Sequence, residues 1–369
     1  MVKKKLTITF PKEGFSIQAA NLADRDISKD TEVIQKVAEV CKWWSETDLP
    51  LTITTSGSTG TPKKFNFTRT AVKTSVRMTT EALGLEHGMN SLLALNPSYI
   101  GGRMMIVRAL STGMNLICTS PGGNPLEIIS DSLKIDFASF VPIQIEKILS
   151  NPKTAEKFSR IGRVLIGGAP IGAKLKERLS IFPNKIYQTF GMTETLSHIA
   201  LKNLTENDSN YIKLPGVTIY TDDRGCLVAE IPGLLENRLV TNDLIIQENE
   251  KTFKWIGRID RMINSGGIKI SPELLEEKCQ SLFEPYKELN NFFFHWQSDD
   301  RFGQKVVLVL TGRSEFTSGK IKELTKVLDE GLENYENPKA IFLASEVLLT
   351  PGGKMDYQAT FESARQIWP

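Results

Sequence analysis

The stretch Thr54-Thr55-Ser56-Gly57-Ser58-Thr59-Gly60-Thr61-Pro62-Lys63 compresses the chemistry of a polyphosphate site into ten residues. Its glycines let the backbone turn sharply and approach an anion, so that successive amide groups can face phosphate oxygens in a nest. The hydroxyls of Thr55, Ser56, Ser58 and Thr59 add donors, and Lys63 adds a point charge. Leu51-Thr52-Ile53 alternates as a short strand, so the loop leaves a strand end. Its spacing is neither that of the Walker loop nor that of the dinucleotide fingerprint. A flexible Ser/Thr/Gly turn fits these residues as well as a phosphate loop does, and the rest of the chain has to decide.

Upstream, Val33, Ile34, Val37, Val40, Cys41 and Trp44 fall on one helical stripe within 31–46. Downstream, Thr68 can cap a helix running to about Leu83. Strand-like runs at 92–95, 115–118, 137–141 and 164–166 then alternate with helix-like runs at 102–110, 125–133, 143–149 and 173–182. That alternation predicts an α/β layer with a largely parallel sheet. From about Ile199 short strands and tight turns such as Asp222-Asp223-Arg224-Gly225 predict an antiparallel β-rich part. Beyond Arg258 helices at 272–283 and 319–332, with strands at 291–296, 306–310 and 341–348, predict a small α+β domain. The expected division is therefore 1–258, with an α/β part to about 198 and a β-rich part at 199–258, followed by 259–369.

At 369 residues the chain has room for two or three domains and a substantial core. Its 45 basic and 43 acidic residues leave a net charge of +2, which predicts no general attraction to nucleic acid or to an anionic membrane. The four cysteines, Cys41, Cys118, Cys226 and Cys279, form no Cys-x-x-Cys pair and read as buried thiols of a reducing compartment. No apolar run reaches membrane-spanning length and the basic start lacks a signal-peptide core, so the expected location is cytoplasmic, without membrane insertion. The sequence leaves open whether the chain forms a homo-oligomer.

The ten-residue loop resembles the Thr-Ser-Gly-Ser/Thr-Thr-Gly-x-Pro-Lys signature of adenylate-forming enzymes, the superfamily of acyl- and aryl-CoA ligases, peptide-synthetase adenylation domains and luciferases. Further motifs follow in the order of that superfamily. Gln188-Thr189-Phe190-Gly191-Met192-Thr193-Glu194-Thr195 resembles its Tyr-Gly-x-Thr-Glu motif, with Phe190 for Tyr. The resemblance implies Phe190, Gly191 and Met192 beside the nucleotide, Thr193 on the α-phosphate and Glu194 on magnesium. Gly167-Gly168-Ala169-Pro170 looks like the strand end that borders adenine, and also fits a plain strand-to-helix turn. Thr241-Asn242-Asp243 stands where the family has Thr-Gly-Asp, with Asp243 on the ribose; Asn tolerates the left-handed backbone a glycine would adopt. Residues 255–273 give the longest match, implying Arg258 on ribose and phosphate, Asp260 as interdomain hinge, and Ser265, Gly266 and Gly267 along the coenzyme A arm. Lys354, in Pro351-Gly352-Gly353-Lys354, matches the terminal catalytic lysine.

The resemblance implies the adenylate-forming fold, a large N-terminal domain with a small mobile C-terminal one. It also implies ATP, Mg2+ and coenzyme A acting on a small carboxylic acid. Gly191-Met192-Thr193-Glu194-Thr195-Leu196-Ser197-His198 and the 165–170 stretch are similar to o-succinylbenzoate:CoA ligases of menaquinone synthesis. This implies that Gly167, Ser197 and His198 meet the acid, with a pocket-wall role as the other reading of the histidine. Tyr99 replaces the His of the family's Pro-x-x-His-x-x-Gly; packing on the acid and merely starting a helix both fit. Arg103 and Arg108 follow on the same helix, where a partly buried arginine can pair with a carboxylate. Another aryl- or acyl-CoA ligase, an enzyme loading a carrier protein, and a non-catalytic binding relative stay open as alternatives.

Overall fold

The computed structural model describes residues 6–46, 49–55, 63–206, 208–283, 286, 291–312, 317–350 and 355–369. The chain begins with the hairpin β1 (Thr7–Phe10) and β2 (Phe15–Gln18), then α1 (Ala19–Ala23) and α2 (Glu32–Glu46). Strands β3 (Leu51–Thr55) and β4 (Lys63–Phe67) pair with each other in a two-stranded sheet of their own. Helix α3 (Arg69–Leu83) follows, its first turn capped by the Thr68 hydroxyl, which accepts from the Ala71 N–H, and its end closed by Gly84 at φ +58°. Both ends were legible in the sequence, because Thr at the first position and Gly at the last are what the unsatisfied N–H and C=O groups of a helix call for.

An α/β succession comes next: β5 (Asn90–Leu93), α4 (Ile100–Thr112), β6 (Asn115–Cys118), β7 (Phe137–Phe140), α5 (Pro142–Leu149), α6 (Pro152–Ser159), β8 (Arg163–Ile166), α7 (Ala173–Ser180) and β9 (Lys185–Gly191). Strands β6, β5, β7, β8 and β9 are mutually parallel, and β1 joins β6 in parallel. At β10 (His198–Asn203) the direction reverses. The antiparallel strands β11 (Tyr211–Lys213), β12 (Thr218–Thr221), β13 (Cys226–Glu230), β14 (Leu239–Gln247) and β15 (Thr252–Arg258) extend the same sheet to thirteen strands. The β-rich part expected from the sequence is thus joined edge to edge with the parallel part. The expected helix at 125–133 is absent. That segment is a series of tight turns, Glu127 N–H to Asn124 O, Ile129 N–H to Leu126 O and Leu133 N–H to Ser130 O, because Ser130 and Ser132 bond locally and compete with a helix.

A second, six-stranded sheet holds β16 (Ile263–Ser265), β17 (Ile268–Ile270), β18 (Asn291–Asp299), β19 (Gly303–Thr311), β20 (Ala340–Ala344) and β21 (Arg365–Trp368). Helices α8 (Pro272–Leu282), α9 (Ser318–Gly331) and α10 (Tyr357–Ser363) accompany it. Its hydrophobic clusters draw on residues from Ile263 onward, while those of the large sheet stop at Trp255. All four cysteines are free and buried. No helix among the described residues is long and apolar enough to cross a membrane.

Candidate active site

In a parallel sheet, ligands gather beyond the carboxyl ends of the strands, most often where the strand order or direction changes. Here Asn96 to Tyr99 follow β5, Val141 follows β7, Gly167 to Pro170 follow β8, and Met192 to Ser197 follow β9 at the reversal. Buried Gln144 pins this edge: its Nε2 donates to Ala94 O at 2.9 Å and Gly122 O at 3.0 Å, and its Oε1 accepts from Val141 N–H at 3.1 Å. A Cβ on Gly167 would lie 2.3 Å from Thr189 Oγ1, so a larger residue there would have to displace that hydroxyl from its bond to Ile166 O. Gly168 has φ +85°, and Ala169 and Pro170 are exposed beside it.

The turn from β9 to β10 is tightly built. A Cβ on Gly191 would come within 2.4 Å of the Ser197 carbonyl, so only glycine lets the two strands close. The buried Thr195 hydroxyl accepts from Met192 N–H at 3.1 Å and donates to Ser197 O at 2.6 Å. Between them Leu196, fully buried, takes φ +62° and ψ −35°, the sole left-handed φ outside glycine among the described residues. Such a backbone costs a bulky residue about 1–3 kcal/mol, and its effect is to turn Ser197 inward. Thr193 and Glu194, both partly exposed, occupy the short helical turn before it. Phe190 packs on Tyr211 and Phe253, with centroids 5.5 and 5.3 Å away.

Ser197 and His198 meet a residue contributed by α4. Arg108, 2% exposed, donates from Nη2 to Ser197 Oγ at 2.6 Å. Its Nε has no partner, and no carboxylate pairs with it among the described residues. Burial lowers its pKa to about 10, which still leaves it charged at neutral pH. His198 lies 3.2 Å from Ser197 Oγ through Nδ1 and 3.1 Å from Thr79 Oγ1 through Nε2. Burial, and then the Arg108 charge, hold it well below the ordinary histidine range. Both its ring nitrogens are therefore engaged within the protein. Tyr99 is not part of this group: it is 69% exposed and heads α4, nine residues or roughly 13 Å of helix before Arg108.

On the antiparallel side, Asp243 and Arg258 are register partners of β14 and β15. Trp255 Nε1–H donates to Asp243 Oδ1 at 2.9 Å; burial raises the Asp243 pKa, with Trp255 and Arg258 opposing it. Asn242 does not take the left-handed conformation expected for a glycine substitute. Instead Arg224 donates to Asn242 Oδ1 at 3.1 Å and Thr241 O at 2.9 Å, fixing the turn through side chains. Arg258 forms a two-pronged pair with Asp260, at 3.0 and 2.6 Å. Ser265, Gly266 and Gly267 form the tip of the β16–β17 hairpin, both glycines at positive φ, with open space beside Gly267. Ser56, Gly57, Ser58, Thr59 and Gly60, the side chains of Thr55 and Lys63, and Lys354 lie outside the described residues. What is described around that loop is its base: β3 pairs with β4, and Arg103 Nη1 donates to Thr52 O at 3.0 Å. Arg108 was noticed in the sequence only as one of two helical arginines; Thr79, Trp255 and Arg224 were missed, since nothing local marks them.

The model of AMP-binding enzymes matches residues 2–230. The chain belongs to that family. The AMP-binding chain is 35% identical to an acyl-CoA synthetase (AMP-forming)/AMP-acid ligase II-like protein from Dyadobacter fermentans, over 93% of this chain and 97% of that one, with a TM-score of 0.63. It is 26% identical over 315 residues to the 2-succinylbenzoate–CoA ligase of Haemophilus influenzae, covering 79% of this chain and 66% of that one, so it spans just under two thirds of that relative. The fold is also that of o-succinylbenzoate CoA synthetase from Bacillus subtilis, solved with its acyl-adenylate intermediate, at TM-score 0.72, 21% identity, and 85% and 69% coverage.

Proposed function

We propose that this AMP-binding enzyme is an ATP-dependent acid–thiol ligase. In this reading it converts an aromatic acid with a second carboxylate, most specifically o-succinylbenzoate, to its coenzyme A thioester in menaquinone synthesis. The observation that carries the reading is Arg108. A buried cation with no anionic partner is costly, and pairing it with a carboxylate removes that cost. The likeness to 2-succinylbenzoate–CoA ligase supports the same acid.

The chemistry has two steps. A carboxylate oxygen bonds to the α-phosphorus of ATP as the bridging bond to pyrophosphate breaks. The thiolate sulfur of coenzyme A then bonds to the acyl carbon as the bond to AMP breaks, the thiol proton having passed to solvent. Little covalent work falls to the protein, so positioning and electrostatics dominate. The 54–63 loop and Thr193 would bind phosphates, Gly168 to Pro170 and Phe190 to Met192 would border the adenine, Asp243 and Arg258 the ribose. Lys354 would bridge the reacting carboxylate and α-phosphate. Magnesium, held by Glu194 with ATP oxygens and water, would neutralise phosphate charge. Residues 259–369 would then turn about Asp260 to exchange Lys354 for Ser265, Gly266 and Gly267, a hinge-type closure.

The test is coenzyme A-dependent release of AMP and pyrophosphate with o-succinylbenzoate, benzoate, phenylacetate and medium-chain fatty acids. Selectivity for o-succinylbenzoate is expected. Turnover confined to a monoacid would overturn the substrate, and dependence on a carrier-protein thiol would overturn the acceptor.

A further inference from the structure

We propose that Thr79 is a positioning residue for acid selectivity, setting the proton arrangement of His198 and, through it, the way Ser197 holds Arg108. The inference rests on the reading of Arg108 as the group that meets the acid's second carboxylate. Thr79 is fully buried on α3, more than a hundred residues in sequence from the turn it supports. Its hydroxyl donates to Ser75 O at 3.2 Å, the back-bond available to a helical threonine. With that proton committed, Thr79 Oγ1 meets His198 Nε2 as an acceptor, at 3.1 Å. Imidazole carries one proton when neutral, so Nδ1 is left bare and accepts from the Ser197 hydroxyl at 3.2 Å. The Ser197 oxygen is then free to accept from Arg108 Nη2 at 2.6 Å.

The chain of donors runs one way, from Arg108 through Ser197 and His198 to Thr79 and Ser75, and each proton has one acceptor. The reverse arrangement would strand the bond to Ser75 and turn the Ser197 proton out of the chain. The turn that holds Leu196 at φ +62° brings the Ser197 hydroxyl to Arg108 of α4 and the imidazole to Thr79 of α3, with the two groups in contact. Arg108 is steadied by a neutral oxygen in place of a carboxylate, so its charge is kept for the ligand.

Two measurements test this on the full-length protein. With only His87, His198 and His295 present, ring-15N-labelled histidine gives separable signals, assigned with His198→Gln. The expected result is a neutral ring protonated at Nε2; protonation at Nδ1 would overturn the proposal, and this arm needs no turnover. Kinetically, Thr79→Val is expected to raise KM for o-succinylbenzoate about tenfold relative to benzoate, the worth of one buried hydrogen bond, with Thr79→Ser restoring the ratio. Equal changes for both acids would reduce Thr79 to a packing residue and overturn the proposal. Because the tautomer is read without substrate, failure of the ligase reading and failure of the relay are separate results.

Discussion

Trp255 stands opposite Ile245 in the β14–β15 ladder and reaches diagonally to Asp243, where the indole N–H donates to one carboxylate oxygen at 2.9 Å. On the proposed function the other oxygen would meet the ribose. Burial raises the Asp243 pKa and the Trp255 bond lowers it. Trp255→Phe should therefore raise KM for ATP about fivefold and move the acid-side loss of ATP affinity to higher pH. Titrating ATP, 2′-deoxy-ATP and 3′-deoxy-ATP against pH checks both effects, and an unchanged profile would separate Trp255 from the ribose.

Arg108→Met should make the unliganded protein more stable by about 1–3 kcal/mol, because a buried unpaired charge is replaced by an apolar chain of similar length. The same variant should lose about a hundredfold in kcat/KM for o-succinylbenzoate, as a charge-assisted pair disappears, while benzoate suffers less. Chemical denaturation with the acid panel decides it. A less stable variant would mean that the guanidinium has a partner when the site is empty.

His198 is held neutral by burial and by Arg108, the charged group facing it, well below the pKa it would have when unfolded. The unfolded chain then binds the extra proton first, so this residue's contribution to stability is lost as pH falls below about 6.5, with a slope of up to about 1.4 kcal/mol per pH unit. Urea denaturation at pH 7 and pH 5, on the native protein and on His198→Gln, should show the steeper loss in the former, since burial also lowers the His295 pKa and that contribution remains in the variant.

Lys176 on α7 pairs with Glu277 on α8 at 2.5 Å, and Ala173 N–H donates to Gln280 Oε1 at 3.0 Å, tying the two sheets' helices together. The ion pair is partly exposed, worth about 0–1 kcal/mol and weakened by salt. Reversing one charge, Lys176→Glu, should shift the protein away from this orientation in solution scattering. Adding Glu277→Lys should restore it. No shift would show the pair to be incidental to the orientation.

Gly191→Ala should destabilise the fold by about 2–3 kcal/mol, since its Cβ would press on backbone at 2.4 Å that cannot give way. Thermal melting would show it.

Much of this was legible in the sequence because the motifs mark strand ends. The β3–β4 hairpin, the Gly-Gly-Ala-Pro turn and the Thr-Glu turn each need small or polar residues in fixed order, and those residues are next to one another in the chain. What was not legible depends on packing between distant elements. Thr79 is an ordinary helical threonine until β10 lays His198 against it. The exposure of Tyr99 depends on which end of α4 is covered, and the Asn242 turn on an arginine eighteen residues away. At 125–133, helical-looking spacing was outweighed by serine side chains that bond to their neighbours.

Helix α4 has one consequence beyond its arginines taken singly. Arg103 grips the base of the β3–β4 hairpin at Thr52, and Arg108, which meets Ser197, stands five residues or about 7.5 Å further along the same rod. The helix thereby acts as a gauge. On the proposed function it would set the span between the nucleotide end and the distal end of the acid, so the length of acid accepted would be written into the pitch of a helix and not into the reach of a loop.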